Sequence, residues 1–209
     1  MFIDLLVHTI WLAELFWIAL VPLDYALTLL SARLYRAGVN QYLTFEGGIE
    51  LNPSFQAHVN ALRRFSPRYF VSLLISAVLV WLVWLFTVSL PTAPALLEFL
   101  LGALILIQAP IQLRHMRNVF FFREIPRSAA LKGQIEYPRW LMLQQSFLDL
   151  IGFAVLFSFI ARLTGRIFFV GGATSCFVNA LRQRRYMWQV KSMRSKASSS
   201  DLSVTQSQL

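Results

Sequence analysis

The sequence predicts an all-α, polytopic integral membrane protein, a helical bundle of four long transmembrane helices plus a short fifth. Two observations predict this class. Of the 209 residues, 57% are hydrophobic and only 14% are charged, whereas a soluble domain is about 45–50% apolar and about 25% charged. The apolar residues are also collected in runs close to the length of about 20 residues that a membrane-spanning helix needs. This composition excludes disordered chains, collagen and disulfide scaffolds, and it argues against a water-soluble fold.

Five apolar runs define the predicted transmembrane domain, which covers residues 1–190. The predicted spans are 5–30, 69–90, 95–113, 140–161 and 167–181. Prolines lie near the starts of the second, third and fourth runs. Proline lacks an amide hydrogen, and this costs nothing in a first helical turn because the amides there have no intrahelical partner. Pro22 and Pro110 lie inside runs and predict kinks, which membrane helices tolerate. The first run lacks a basic leader and follows Asp4, so we interpret it as an uncleaved span rather than a signal peptide.

The fifth run is short. Its 15 residues would extend about 22 Å as a helix, which is less than the roughly 30 Å hydrocarbon core. It is predicted either to span with snorkelling flanks, or to be a re-entrant or protein-buried segment. Basic residues favour spanning, because a re-entrant segment would place the six in 182–196 on the opposite side from the other basic segments.

Lysine and arginine predict the orientation. Seventeen of the 19 lie in the segments 31–68, 114–139 and 182–196, and none lies in the connection between the second and third runs. Because cytoplasmic loops of membrane proteins are enriched in basic residues, we expect the N-terminus outside the cell and the C-terminus in the cytoplasm. The predicted location is the cell membrane, that is, a plasma or inner membrane. The net charge of +9 thus reports orientation, and nucleic acid is not an expected partner.

Two segments are predicted to lie at the membrane surface. Residues 54–65 repeat apolar side chains at helical spacing, which predicts a short interfacial amphipathic helix. Basic and aromatic residues after the fifth run are expected to contact anionic lipid headgroups. These contact residues are Arg182, Arg184, Arg185, Trp188 and Lys191. The serine-rich residues 191–209 are predicted to be a disordered cytoplasmic tail.

Polar and ionisable residues inside the apolar runs form the first candidate site. Such residues are costly at the bilayer centre, by about 2.5–3.5 kcal/mol, so they face other helices or a wet cavity. Residues four apart share a helix face, as Asp24 and Thr28 do, and as Gln145 and Asp149 do. The candidate cluster comprises Glu14, Asp24, Thr28, Gln108, Gln112, Gln145 and Asp149. It is predicted either to join helices through hydrogen bonds, or to line a path for an ion or a pocket for a polar substrate.

Acidic and polar loop residues form the second candidate site. Gly47 and Gly48 permit backbone conformations closed to other residues, and the Asn52–Pro53 step favours a turn. The loop carboxylates are predicted either to pair with nearby arginines, or to bind a cation or a cationic group. The members are Glu46, Glu50, Asn52, His58 and Glu136.

A weak internal repeat links this loop to a later one. Residues 48–53 and 133–138 both begin with glycine and place an Ile–Glu pair before a proline. Each copy also follows a pair of arginines three residues apart. Chance or the duplication of a two-span unit explains the match.

The motifs of common enzymes are absent. The sequence has no Walker, dinucleotide-binding, HExxH or GxSxG motif, and its single cysteine, Cys176, excludes an intramolecular disulfide and a zinc-binding spacing. We therefore predict no catalytic residue, cofactor or metal. The leading hypothesis is a non-catalytic subunit, scaffold or adaptor whose basic-aromatic loops contact lipid headgroups or a membrane-protein partner, including a second copy of the chain.

Two alternative functions stay open. Transport of a small ion or solute would require Asp24 and Asp149 to face one continuous hydrated cavity. Modification of lipid would require a pocket that gathers at least two loop carboxylates with His58.

Overall fold

The structure is a computed structural model that describes residues 2–89, 94–128 and 133–206. It is 82% helical, so the predicted all-α class is confirmed. Residues 1, 90–93 and 129–132 of the predicted transmembrane domain lie outside the described ranges, and residue 90 is the end of the predicted second span. Residues 207–209 of the predicted tail lie outside them as well. The helices are α1 (Phe2–His8), α2 (Ile10–Arg36), α3 (Pro53–Asn60), α4 (Pro67–Ser89), α5 (Pro94–Glu124), α6 (Arg139–Thr164) and α7 (Ile167–Gln206). Two short strands are β1 (Leu43–Phe45) and β2 (Ile135–Tyr137), and a 3₁₀ turn covers Val39–Gln41.

Four of the described helices, α2, α4, α5 and α6, are long and apolar enough to cross a membrane. They correspond to the four long spans that the apolar runs predict. The fifth span and the orientation stay predictions.

Several boundaries differ from the predicted ones. The first run is divided at Thr9, whose backbone leaves the helical region (φ −121°, ψ 81°) and separates α1 from α2. Helix α5 continues beyond the predicted end at 113 to Glu124. The amphipathic helix α3 is shorter than predicted, and Leu62 follows it with a positive φ of 50°. Helix α7 continues through the predicted start of the tail at 191 to Gln206.

Helices α2, α5 and α7 run in one direction between the two ends of the bundle, and α4 and α6 run in the other. We call the end that carries residues 37–66, 125–128 and 133–138 the loop end. At the other end, Arg166, between α6 and α7, contacts Asp4 at 2.6 Å and Glu98 at 3.0 Å. The half of the bundle near this opposite end contains a tightly packed apolar core, in which Leu6 and Ala13 are fully buried and Leu97 is 1% exposed.

Glycines bring α5 and α7 into close contact. A Cβ atom on Gly102 would lie 1.8 Å from the carbonyl oxygen of Phe168, and one on Gly171 would lie 2.0 Å from that of Phe99. Side chains larger than hydrogen do not fit at such separations, so the crossing depends on glycine at both positions. The start of α7 is therefore packed inside the bundle.

The loop end is joined by a two-stranded parallel sheet. Strand β1 pairs with β2, with Leu43 opposite Ile135 and Phe45 opposite Tyr137. The aromatic ring of Phe45 packs against those of Phe122 and Tyr137, with centroids 5.8 and 5.6 Å apart. The pairing fixes the loop after α2 against the loop before α6. It aligns β2 with residues 43–45 rather than with the repeat at 48–53, and duplication stays a hypothesis.

Candidate ligand-binding site

A polar cavity of about 240 Å³ lies in the loop half of the bundle. It is formed by α2, α3, α4, α5, α6 and α7, together with the loop before α3. It brings together residues from the intramembrane cluster, from the loop site and from the predicted lipid-contact segment. Its polar lining consists of Asp24, Tyr25, Thr28, Glu50, Asn52, Tyr69, Arg114, His115, Ser146, Asp149, Asn179, Arg182, Gln183 and Tyr186.

Asp24 is held within a contact network between three helices. Its Oδ1 lies 3.2 Å from Nε2 of His115 on α5. The hydroxyl of Thr28 donates to the backbone carbonyl of Asp24 at 2.9 Å, and its oxygen lies 3.2 Å from the same Nε2. Since the threonine hydroxyl donates to this carbonyl, the contact is satisfied by the His115 tautomer that is protonated on Nε2 and donates to Thr28. From α4, the Tyr69 hydroxyl donates to the carbonyl of Val21 and approaches Asp24 Oδ2 at 3.4 Å.

Two arginines connect α5 to α6. The half-buried Arg114 donates through Nη1 to the hydroxyl of Ser146 at 2.8 Å, and Ser146 is 2% exposed. Arg117 Nη2 lies 3.1 Å from Asp149 Oδ2, in a partly exposed ion pair. Within the described ranges, no carboxylate oxygen lies within 4.0 Å of the Arg114 guanidinium. Arg114 therefore presents to the cavity a charge that no described carboxylate neutralises by direct contact.

The loop before α3 places a buried glutamate in the same cavity. Glu50 is 8% exposed, and its Oε1 accepts a hydrogen bond from the Asn52 amide at 2.7 Å. The loop reaches this position through Gly47 and Gly48, which have φ values of 78° and 97°. A Cβ on Gly47 would lie 2.6 Å from Arg139 Nη1. In the described part of the chain, no basic nitrogen lies within 4.0 Å of the Glu50 carboxylate.

A second, largely apolar cavity of about 410 Å³ lies beside the polar one. The two cavities share Leu51, Arg114 and Ser146 in their linings, and we call these residues the shared wall. The charged groups in the lining of the apolar cavity are Arg114 and Arg117. Its remaining lining is Leu43, Phe45, Ile49, Asn118, Phe121, Phe122, Ile135, Tyr137, Met142 and Gln145.

The structure does not bring the whole intramembrane cluster into one cavity. Gln112 donates to the backbone carbonyl of Leu20 at 3.1 Å, so it joins α5 to α2. Glu14 and Gln108 are 5% and 9% exposed, and each has a buried side-chain oxygen without a hydrogen-bond partner in the structure. Gln145 lines the apolar cavity. Only Asp24, Thr28 and Asp149 of the cluster line the polar cavity.

The predicted loop site is also divided. Glu50 and Asn52 line the polar cavity, whereas Glu46 accepts a hydrogen bond from the Arg139 amide at 3.0 Å and ties the loop to α6. His58 is half-buried on α3, and Glu136 is exposed on β2. Neither contributes to the lining of the polar cavity.

The predicted lipid-contact residues take three different positions. Arg182 lines the polar cavity, although it is exposed. The ammonium group of Lys191 lies 4.4 Å from the ring centroid of Trp140, which is a cation–π distance. Arg184, Arg185 and Trp188 are exposed on α7.

Sequence reasoning missed Arg114 and Tyr69 as site residues. The third apolar run ends at 113, so the sequence predicts a loop position for Arg114, whereas α5 continues to Glu124 and keeps Arg114 inside the bundle. A signal is present in Gln108, Gln112 and His115, which share one helix face and so indicate that the helix continues past 113 and includes Arg114. Tyr69 gave no comparable signal, because its partner Asp24 is 45 residues away.

Comparison of the chain with protein-family models, curated proteins and solved structures finds no match. Among the described residues, no three His, Cys, Asp or Glu side chains are grouped so that they could hold a metal ion. The geometry of the two cavities is therefore the basis for a functional argument.

Proposed function

We propose that this chain is an integral membrane protein that binds a membrane lipid at its loop end. The supporting observation is the shared wall, which joins a polar cavity to an apolar one. Ligand sites are commonly about 300–1,000 Å³ and combine apolar walls with a few convergent polar groups. A polar cavity and an apolar cavity side by side match the two parts of an amphiphile, its headgroup and its chain.

The proposal includes five crossings, with the loop end in the cytoplasm. Seventeen of 19 basic residues belong to the segments that the positive-inside rule assigns to that side. Helix α7 starts beside Arg166 at the opposite end, and its Asn179 and Arg182 line the cavity in the loop half. Because α7 extends from the opposite end into the loop half, its short apolar segment is proposed to make the fifth crossing. The cell membrane remains the predicted location.

Transport through the bundle has less support. Asp24 and Asp149 do line one cavity, as transport requires. The half near the opposite end, however, is filled by buried side chains such as Leu6 and Leu101, and by the glycine crossing of α5 and α7. Along the described helices, the polar cavity thus has the geometry of a blind site rather than a path.

The other two hypotheses stay predictions. The loop carboxylates expected for lipid chemistry are dispersed, and Glu50 lines the polar cavity without His58. A scaffold role is compatible with lipid binding, since the exposed Arg184, Arg185 and Trp188 remain available for anionic headgroups or a partner.

Lipid retained by the purified protein tests the proposal. The full chain is extracted in mild detergent, washed extensively and analysed for bound phospholipid. We expect about one retained phospholipid per chain. Met142→Trp, in the lining of the apolar cavity, should lower this amount, because the larger side chain occupies the space for the lipid chain.

Leu148→Trp is the matched control, because Leu148 lies on the same helix and is 58% exposed. It should leave the retained lipid unchanged. Wild-type protein without bound lipid, or equal retention by Met142→Trp and wild type, contradicts the proposed function.

A further inference from the structure

We propose that the polar cavity selects a phospholipid whose headgroup carries one phosphate and one ammonium group. In this arrangement Arg114 binds the phosphate and Glu50 binds the ammonium. The inference rests on the proposed lipid binding, and it names the class of lipid that the site takes.

Arg114 has the position and the chemistry for the phosphate. It belongs to the shared wall, where a phosphate linking a chain to a headgroup would lie. Its hydrogen bond to the Ser146 hydroxyl fixes the guanidinium but does not neutralise it. A guanidinium has five donors in a planar fork that suits phosphate oxygens. A half-buried charge without a counter-ion is costly, so an anionic ligand group at this position would be stabilised.

Glu50 has the complementary properties for the ammonium. It is more than nine-tenths buried, and its direct hydrogen bond comes from a neutral backbone amide, that of Asn52. The amide side chain of Asn179 lines the same cavity; its nitrogen donates to the Ser175 carbonyl, and its oxygen can accept a hydrogen bond from an ammonium.

The remaining charged groups in the polar lining are paired or exposed. Asp24 faces His115, and Asp149 pairs with Arg117. Arg182 is exposed. Among the described lining residues, Arg114 is therefore a shielded guanidinium without a carboxylate within 4.0 Å, and Glu50 is a shielded carboxylate without a basic nitrogen within 4.0 Å. Their balance favours a zwitterionic ligand over a purely anionic one.

Aromatic rings near the carboxylates add to this preference. Tyr25, Phe55 and Tyr69 all line the polar cavity. The ring of Tyr69 lies 4.8 Å from that of Tyr25 and 5.5 Å from that of Phe55, between centroids. Aromatic faces attract ammonium groups through their quadrupole, and quaternary ammonium groups use such surfaces.

The order of the groups also matches the order of atoms in a phospholipid. The acyl chain would occupy the apolar cavity, the phosphate would lie at the shared wall, and the ammonium would extend into the polar cavity. Arg114 lines both cavities, so its guanidinium can contact a phosphate that lies between the acyl chain and the ammonium group.

Lipid selectivity tests the inference. Apparent Kd values are measured from the rise in unfolding temperature as one dioleoyl lipid is added to delipidated full-chain protein in detergent. The four lipids are phosphatidylethanolamine, phosphatidylcholine, phosphatidylglycerol and phosphatidic acid. We expect at least one of the two ammonium lipids to bind about tenfold more tightly than either anionic lipid, which corresponds to one charge-assisted hydrogen bond. Soluble glycerophosphoethanolamine should bind much more weakly than its lipid.

Two variants separate the two contacts. Arg114→Gln should weaken all four lipids by about tenfold, whereas Glu50→Gln should weaken only the ammonium lipids and abolish their advantage. Arg162→Gln and Glu124→Gln remove the same charges at exposed positions outside both cavities, and they should leave the ranking unchanged.

The outcomes distinguish the inference from the proposed function. Equal or tighter binding of an anionic lipid by wild type overturns the inference, and this comparison needs no variant. An unchanged preference in folded Glu50→Gln also overturns it, and glycerophosphoethanolamine binding as tightly as the lipid would show a soluble ligand instead. Binding of all lipids without preference defeats the inference alone, whereas binding of none defeats the proposed function as well.

Discussion

The crossing of α5 and α7 makes a strong prediction about stability, through Gly102→Ala. The added Cβ would lie 1.8 Å from the Phe168 carbonyl oxygen and 2.6 Å from its carbonyl carbon. Real Cβ atoms essentially never approach other atoms closer than 3.0 Å, so the oxygen must move by about 1.2 Å. The contacting atoms are backbone, and they cannot move away by a rotamer change.

The expected cost follows from this displacement. Overpacking by one methyl group costs about 1–3 kcal/mol. In a chain of this size, each kcal/mol shifts the unfolding temperature by about 2–4 °C. We therefore expect Gly102→Ala to unfold about 2–12 °C below wild type, measured by a thermal scan of purified protein in detergent.

Gly152→Ala provides the matched control. Gly152 lies on α6, is exposed, and a Cβ there would meet no atom within 4 Å. Alanine is favoured over glycine in a helix by up to about 1 kcal/mol, so this variant should be as stable as wild type or slightly more stable. If Gly102→Ala unfolds at the same temperature as Gly152→Ala, the close crossing of α5 and α7 is wrong.

Three further predictions concern other parts of the bundle. Ser146→Ala removes the hydroxyl that accepts a hydrogen bond from Arg114. It should lower the free energy of unfolding by about 1–3 kcal/mol and weaken lipid binding. If the unfolding temperature and the lipid affinity are both unchanged, the Arg114–Ser146 hydrogen bond is wrong. Arg166→Gln removes both ion pairs at the opposite end and should lower the unfolding temperature less in high salt than in low salt; a salt-independent loss would contradict the electrostatic explanation. Gln134→Cys, at an exposed position, should react with an impermeant thiol reagent only from the cytoplasmic side, while the fully buried Cys176 stays unreactive. Labelling from outside would reverse the proposed orientation.

Local patterns predicted much of the fold. Runs of apolar residues located all four long helices, because membrane helices must be apolar along about 20 residues. The i, i+4 spacing of Asp24 and Thr28 predicted a shared face, and both side chains line the polar cavity. Glu50 was placed in a candidate loop site, and it lies in the same cavity.

The remaining features depend on contacts between distant residues. The strand pair joins residues 43–45 to 135–137, and no local pattern in three-residue strands predicts such a partner. Arg114 was assigned to a loop because hydropathy falls where α5 passes the apolar core, although the helix itself continues. The contact of α5 with α7 through Gly102 was equally hidden, since a lone glycine in an apolar run has several explanations.

The most direct test of the central claim is an experimental structure of the wild-type chain in nanodiscs made from a natural lipid mixture. We predict density for one phospholipid, with its chain in the apolar cavity, its phosphate beside Arg114 and its headgroup extending towards Glu50. A structure with the same fold, in which both cavities contain only water or side chains and all lipids lie on the outer surface of the bundle, would contradict the account.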